Sequence, residues 1–208
     1  NHSGTIEVDS PNSNKGNIGV FSDGAATVNF NDNSNVFVKA NSVGIYSADK
    51  DKFNTTFTNH GKLNIEIGKD STFAYLDGNA TTTLKEFFVK NANGKAVSVN
   101  IKENMGANSS LVYANDRAEA LLDEDYTITK GNKNASTIAL LAANNSRVTI
   151  ANGKTLTTNT QVALAAVDGI VHPVGSTTVS GSKAENKGTI VSNRTNDGIG
   201  IYARDNGS

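Results

Sequence analysis

The sequence has no cysteine and no tryptophan, only two prolines and one methionine, and its aromatic residues amount to 6%. Without thiols there can be no disulfide framework and no thiolate metal site. That fits either a cytosolic protein or an exported bacterial chain that avoids thiols in transit. Charge of one sign is lacking too: the formal net charge is -1, and basic residues are scattered rather than massed. Nucleic acid and anionic membrane are therefore not the expected partners. No apolar run approaches the roughly 18 residues of a spanning helix, so this segment is not expected to insert directly into a membrane. The opening NHSGTIEV has neither a basic stretch nor an apolar core like those of a signal peptide. An export signal is expected to have been removed or to lie outside the segment.

What is present is asparagine, at roughly one position in seven and well above ordinary usage, with 19 glycines among the 208 residues. The apolar residues form short alternating runs rich in Val, Ile, Leu, Phe and Tyr. A disordered chain would lack such runs, so the sequence reads as folded and β-rich.

The runs repeat. NIGVFSD from Asn17, SVGIYSAD from Ser42, STFAYLD from Ser71 and SSLVYAND from Ser109 are followed by STIALLA from Ser136, TQVALAA from Thr160 and GIGIYAR from Gly198. Each phrase ends on an apolar anchor: Phe21, Tyr46, Tyr75, Tyr113, Leu140, Leu164 and Tyr202. The anchors recur at intervals of 24 to 29 residues with two gaps of 38, a spacing typical of stacked repeats. A second phrase interleaves with the first, at Gly4 (GTIEV), Gly61 (GKLNIEI), Gly94 (GKAVSVNI), Gly153 (GKTLTT) and Gly188 (GTIVS).

Period-two alternation marks strands with one buried face, and the Asn, Gly, Asp and Ser between them supply turns, including left-handed ones. The pattern predicts an all-β, right-handed parallel β-helix: a solenoid of about 25 residues and three strands per coil, stacked at about 4.8 Å. Each inward Val, Ile, Leu or Tyr would contribute roughly 1.5 to 3 kcal/mol on burial. A single coil could not hold alone, and stacking joins the small clusters into one column. An antiparallel sandwich or barrel is the competing reading, but it predicts hairpin dipeptides rather than returning phrases. Residues 1–208 read as a single segment of a longer solenoid, with both ends falling mid-pattern. Loop or short-helix insertions are expected at approximately 81–93, 115–126 and 168–183. Asparagines stacked at equivalent turn positions are expected to hydrogen-bond along the column.

The Asn-x-Gly-Thr-Ile phrase followed by Gly-Ile-Tyr-Ala is clearest in Asn186 to Ala203, and is partly repeated in Asn59 to Tyr75 and Val43 to Ser47. It resembles the passengers of bacterial type V autotransporters, most of all the large outer-membrane adhesins of fusobacteria. The resemblance implies a β-helical fold and a cell-surface location, with anchoring to the outer membrane through a C-terminal barrel not present in this segment. It also implies attachment to host cells or other bacteria through a protein or glycan receptor. The expected contacts include neighbouring coils of the same longer chain. No catalytic residues and no cofactor follow from it.

Departures from the period are the places where recognition loops are expected. In TTTLKEFFVKNANGK, Lys85, Phe87 and Phe88 could form an exposed aromatic patch, although adjacent strand residues face opposite ways and one Phe would then belong to the core. In NDRAEALLDEDYT, residues 115 to 127, the run Arg117 to Leu122 favours a short helix. The following Asp123, Glu124, Asp125 and Tyr126 form an acidic candidate binding patch, without the ligand spacing of an EF-hand. His172 and Pro173 mark a third interruption, and the spacing of His2, His60 and His172 suggests no zinc site. Gly-x-Ser-x-Gly is absent, and Asp49, Lys50, Asp51 and Lys52 read as a charged turn rather than a lyase centre. The chain is not expected to be an enzyme. The readings that remain are an adhesin passenger segment, a structural stalk presenting a distal binding domain, and, more weakly, a carbohydrate-active β-helix enzyme.

Overall fold

The computed structural model of the chain describes residues 2–12, 16–23, 26–30, 34–48, 56–59, 63–78, 81–83, 99–101, 105–123, 125–128, 136–167, 181–205 and 207. Twenty strands and no helix run through these residues. In chain order the first ten are β1 (Thr5–Val8), β2 (Asn17–Asp23), β3 (Thr27–Phe30), β4 (Asn35–Val38), β5 (Ser42–Ala48), β6 (Thr56–Asn59), β7 (Leu63–Ile67), β8 (Thr72–Asp77), β9 (Thr81–Thr83) and β10 (Val99–Ile101). The second ten are β11 (Ser110–Ala114), β12 (Glu119–Leu122), β13 (Tyr126–Ile128), β14 (Ile138–Ala143), β15 (Arg147–Ile150), β16 (Thr155–Thr158), β17 (Val162–Val167), β18 (Lys183–Asn186), β19 (Thr189–Ser192) and β20 (Ile199–Arg204).

They form five sheets, and every pairing between them is parallel. The largest is seven-stranded, in the order β2-β5-β8-β11-β14-β17-β20. Before it along each circuit comes β1-β4-β7-β10 or, later, β13-β16-β19. After it comes β3-β6 or, later, β9-β12-β15-β18. Parallel neighbours cannot be joined by a hairpin and need a long connection. Here that connection is the pair of strands passing through the other two sheets, so each circuit uses three strands.

Alternation sets the register. In β4 the side chains of Val36 and Val38 are fully buried while Asn35 and Phe37 are not, and each stacks on its equivalent in β7, Val36 on Ile65 and Val38 on Ile67. Burying such a side chain is worth roughly 1.5 to 3 kcal/mol. The first circuits fill the interior with Phe30, Phe73 and Met105, and the later ones with Ala139, Ala142, Ala163 and Ala166 beside Leu140 and Leu164.

The corners explain the asparagine content. At one corner Asn41, Asp70, Asn108 and Ser136 hold φ values of 50° to 57°, and at another Asn144 and Asn145 hold 53° and 66°. Asn and Asp tolerate this left-handed conformation better than other side-chain-bearing residues. Amides also bond from one layer to the next: Asn64 Nδ2 donates to Asn35 Oδ1 at 2.9 Å, and Asn144 Nδ2 donates to Asn115 Oδ1 at 2.6 Å.

Two expectations are corrected. The run Arg117 to Leu122 is not helical: Glu119 to Leu122 form β12, whose Ala120 sits between Thr82 and Val148. The local preference of Ala, Leu and Glu for helix is overridden by pairing on both sides. The anchor column is also displaced by one residue in two layers. It runs Phe21, Tyr46, Tyr75, Tyr113, Leu141, Ala165 and Tyr202, whereas Leu140 and Leu164 lie in the adjacent column with buried Val112 and, in the last layer, exposed Ile201. ALLAA and ALAA are apolar on both faces, so alternation there does not say which residue is outward.

Candidate functional site

In β5, β8 and β11 of the seven-stranded sheet strict alternation lapses. Gly44 and Ile45, Phe73 and Ala74, and Leu111 and Val112 are successive pairs that are both buried. On either side of this double inward step lie two columns that border the surface, with Thr72 and Ser110 themselves buried. One carries Val43, Thr72, Ser110 and Ile138, and the other carries Tyr46, Tyr75, Tyr113 and Leu141. Between them runs an open groove.

Two lobes make it up. One is a cleft of about 390 Å³ whose wall includes Asp70, Thr72, Asn108, Ser110, Tyr113 and Leu141. The other, about 360 Å³, includes Asn41, Ser42, Val43 and Tyr75. Asp70, Thr72 and Tyr113 line both, so the lobes are continuous and extend across several layers of the stack.

The aromatic wall is a stack. Phe21 and Tyr46 lie with ring centroids 5.6 Å apart, and Tyr46 and Tyr75 lie 5.0 Å apart with planes 10° from parallel. Tyr75 and Tyr113 meet edge to face at 4.9 Å and 60°. Each such pair adds about 0.5 to 1.5 kcal/mol beyond its buried area. Burial, then the hydrogen bond and charge of Asp77, push the Tyr46 phenol up to about 12. Desolvation raises Tyr75 and Tyr113 as well, each with a smaller contribution from neighbouring charge or phenol. All three are held as neutral phenols at physiological pH, which keeps them donors. The Tyr46 hydroxyl donates to Asp77 Oδ2, and Asp77 Oδ1 accepts from Asn115 Nδ2 at 2.9 Å.

The opposite wall is polar at its centre, between Val43 and Ile138. The Thr72 and Ser110 hydroxyls are 2.8 Å apart, and Asn108 Nδ2 donates to Asp70 Oδ1 at 3.0 Å. Apolar ring edges on one side, with hydroxyl, amide and carboxylate groups on the other, can hold an elongated ligand that has both faces, such as a carbohydrate chain or an extended peptide. Among the described residues no three His, Cys, Asp or Glu converge on a common point.

The sequence-predicted site residues lie elsewhere. Lys85, Phe87, Phe88 and Glu124, with His172 and Pro173, fall outside the described residues. Asp123 is half-buried after β12, and Tyr126 opens β13 and packs against the core. Asp125 is exposed, and its Oδ1 accepts the Thr155 backbone N–H at 2.7 Å, so this carboxylate bridges two layers. Asp123, Asp125 and Tyr126 are not brought to the groove. A signal for the groove did exist, in the serine that stands four residues before each tyrosine: Ser42 and Tyr46, Ser71 and Tyr75, Ser109 and Tyr113. These serines fix the corner below it, with Ser42 Oγ donating to the Ala40 carbonyl at 2.8 Å and Ser71 Oγ accepting the Ser42 N–H at 3.1 Å.

No family model, no curated protein and no solved structure matches this chain.

Proposed function

We propose that the chain is a right-handed parallel β-helix serving as a segment of a surface-exposed adhesin passenger, of the type V autotransporter kind that its repeat resembles. It attaches a cell to host cells or to other bacteria by holding a glycan or protein receptor without covalent chemistry. Passage through three parallel sheets in rotation supports the helical reading, and the strong bias of parallel crossovers supports its hand. The observation that carries the binding role is the groove between the tyrosine column and Thr72, Ser110, Asp70 and Asn108. An outward row of aromatic rings is not needed to close a core, and here it borders a polar trough.

Glycan-array and receptor-binding measurements on the 208-residue chain test this. Asp70→Gly with Asn108→Gly removes the carboxylate and the amide, while glycine keeps the left-handed backbone that both positions need. The expected result is about a tenfold loss of binding, the scale of one charge-assisted hydrogen bond. Undiminished binding by this variant rules the groove out. Loss of binding with Phe87→Ser and Phe88→Ser instead would move the site to those two residues. A stalk role is the second reading, favoured by the unbroken parallel ladder of the seven-stranded sheet. It predicts that the wild-type chain retrieves no glycan or receptor at all.

A further inference from the structure

The groove runs over β5, β8, β11 and β14, with further strands of the same sheet on both sides, so it lies within the stack and not at either end of it. Its three tyrosines are not equivalent. Tyr46 and Tyr75, 5.0 Å apart and 10° from parallel, cover each other's faces. Tyr113, 4.9 Å from Tyr75 and turned by 60°, sets its edge against the Tyr75 face. The next layer of this column holds Leu141 rather than a ring, so no second described aromatic takes up a face of Tyr113. Tyr113 also borders both lobes of the groove, whereas Tyr75 borders one and Tyr46 neither.

We infer that the groove takes an uncharged oligosaccharide, with one sugar ring laid on the Tyr113 face and its hydroxyls held by Asp70 and Asn108. This rests on the reading of the groove as the binding site. The face of a phenol ring is slightly negative, and the C–H groups of a sugar ring meet it favourably. Sugar hydroxyls both donate and accept. The facing wall answers both, since the Asp70 carboxylate accepts and the Asn108 amide does either, above the paired hydroxyls of Thr72 and Ser110.

Backbone pairing argues against a peptide. An extended peptide brings an N–H and a C=O with nearly every residue, and each needs a partner once covered. β8 and β11 are paired on both sides. At the corner the N–H groups of Asn41, Asp70 and Ser110 already donate to the carbonyls of Lys69, Ala107 and Ser71, at 2.9 to 3.0 Å. Charge argues against an acidic glycan. Asp70 is the one charged group among the described residues that line the groove, and a sialic acid or uronate carboxylate beside it would be repelled. Lys69 Nζ stands 3.5 Å from Asp70 Oδ2, but its side chain is 68% exposed and does not line the groove. Behind the rings Asp77 adds a second carboxylate, bonded to the Tyr46 hydroxyl.

The test is an array of oligosaccharides built from hexose and N-acetylhexosamine, each with and without a sialic acid or uronate unit, probed with the 208-residue chain. A display library of short peptides is probed in parallel. The wild type should bind uncharged chains about fivefold more tightly than their acidic counterparts, the scale of one exposed charge contact. Asp70→Asn should abolish that preference. It keeps the corner, since Asn41 and Asn108 hold the same left-handed position in adjacent layers. Tyr113→Leu places in this layer the side chain that Leu141 carries in the next, and should weaken binding about tenfold, the upper scale of one aromatic contact. Tyr113→Phe keeps the ring face and should cost about threefold at most, the scale of one neutral hydrogen bond. Acidic chains bound as tightly as uncharged ones, binding indifferent to Tyr113→Leu, or no oligosaccharide bound at all would each overturn the inference. Peptide binding that Asp70→Gly with Asn108→Gly abolishes would overturn the ligand class and leave the groove as the site. Oligosaccharide binding that this double variant leaves intact would overturn both.

Discussion

Tyr46 shows how one residue serves both the stack and its surface. Its ring lies between Phe21 and Tyr75, and its hydroxyl donates to Asp77 on the next strand. The folded chain holds the phenol proton more tightly than the unfolded chain does, with the value moved from 10.0 to about 12. A raised value means that stability is fully present below about pH 10 and is lost as pH climbs toward 12, since the unfolded state releases the proton first. Alkaline titration followed by tyrosine absorbance and circular dichroism should show ionisation above pH 10 coupled to loss of strand signal. In Tyr46→Phe the alkaline transition should shrink. An unaltered transition in that variant would place the alkaline weakness elsewhere. The residue scale is also where the sequence was most readable. Asparagine abundance pointed to left-handed corners and amide columns, and Asn35, Asn64, Asn115 and Asn144 form such bonds. The groove was less readable, because Asp70 and Asn108 look like ordinary corner residues until the fold sets them beside Thr72 and Tyr113.

Individual strands show where local preference yields to neighbours. The phrases around Tyr46, Tyr75 and Tyr113 each set the tyrosine between two buried residues, and each falls in the seven-stranded sheet with the tyrosines in register. β14 and β17 do not alternate, so their sequence does not distinguish Leu140 and Leu164 from Leu141 and Ala165, the neighbours that stand in the anchor column. β12 departs from its local preference for a different reason: Arg-Ala-Glu-Ala-Leu-Leu has helical propensities throughout, and the strands that carry Thr82 on one side and Val148 on the other make it a strand. Its Leu122 is 1% exposed and aligned with Ile150. Leu122→Ala should therefore cost about 2 to 5 kcal/mol, measured by urea denaturation, with no gain of helical signal. A cost below about 0.5 kcal/mol, the scale of a surface change, would mean that β12 does not pack as described.

Across the whole molecule, stability is a sum over adjoining layers rather than the property of one centre. Layers in the middle, β5 to β14 of the large sheet, are covered from both sides, whereas all six residues of β20 are exposed. Hydrogen exchange should reflect this gradient, with backbone amides of β8, β11 and β14 exchanging at least tenfold more slowly than those of β20. Uniform protection along the sheet would contradict layer-wise additivity. Contacts between strands 24 or more residues apart dominate every sheet, so folding should be slow for the chain length. Part of the hydrogen bonding between layers is made by groups that carry no charge: Asn35 to Asn64, Asn115 to Asn144, and the Thr72 and Ser110 hydroxyls. Amides and alcohols do not titrate between acid and neutral pH, and added electrolyte does not screen them. Those ties persist in a sour or briny habitat, where the Lys39 and Glu66 pair that also spans two layers would slacken.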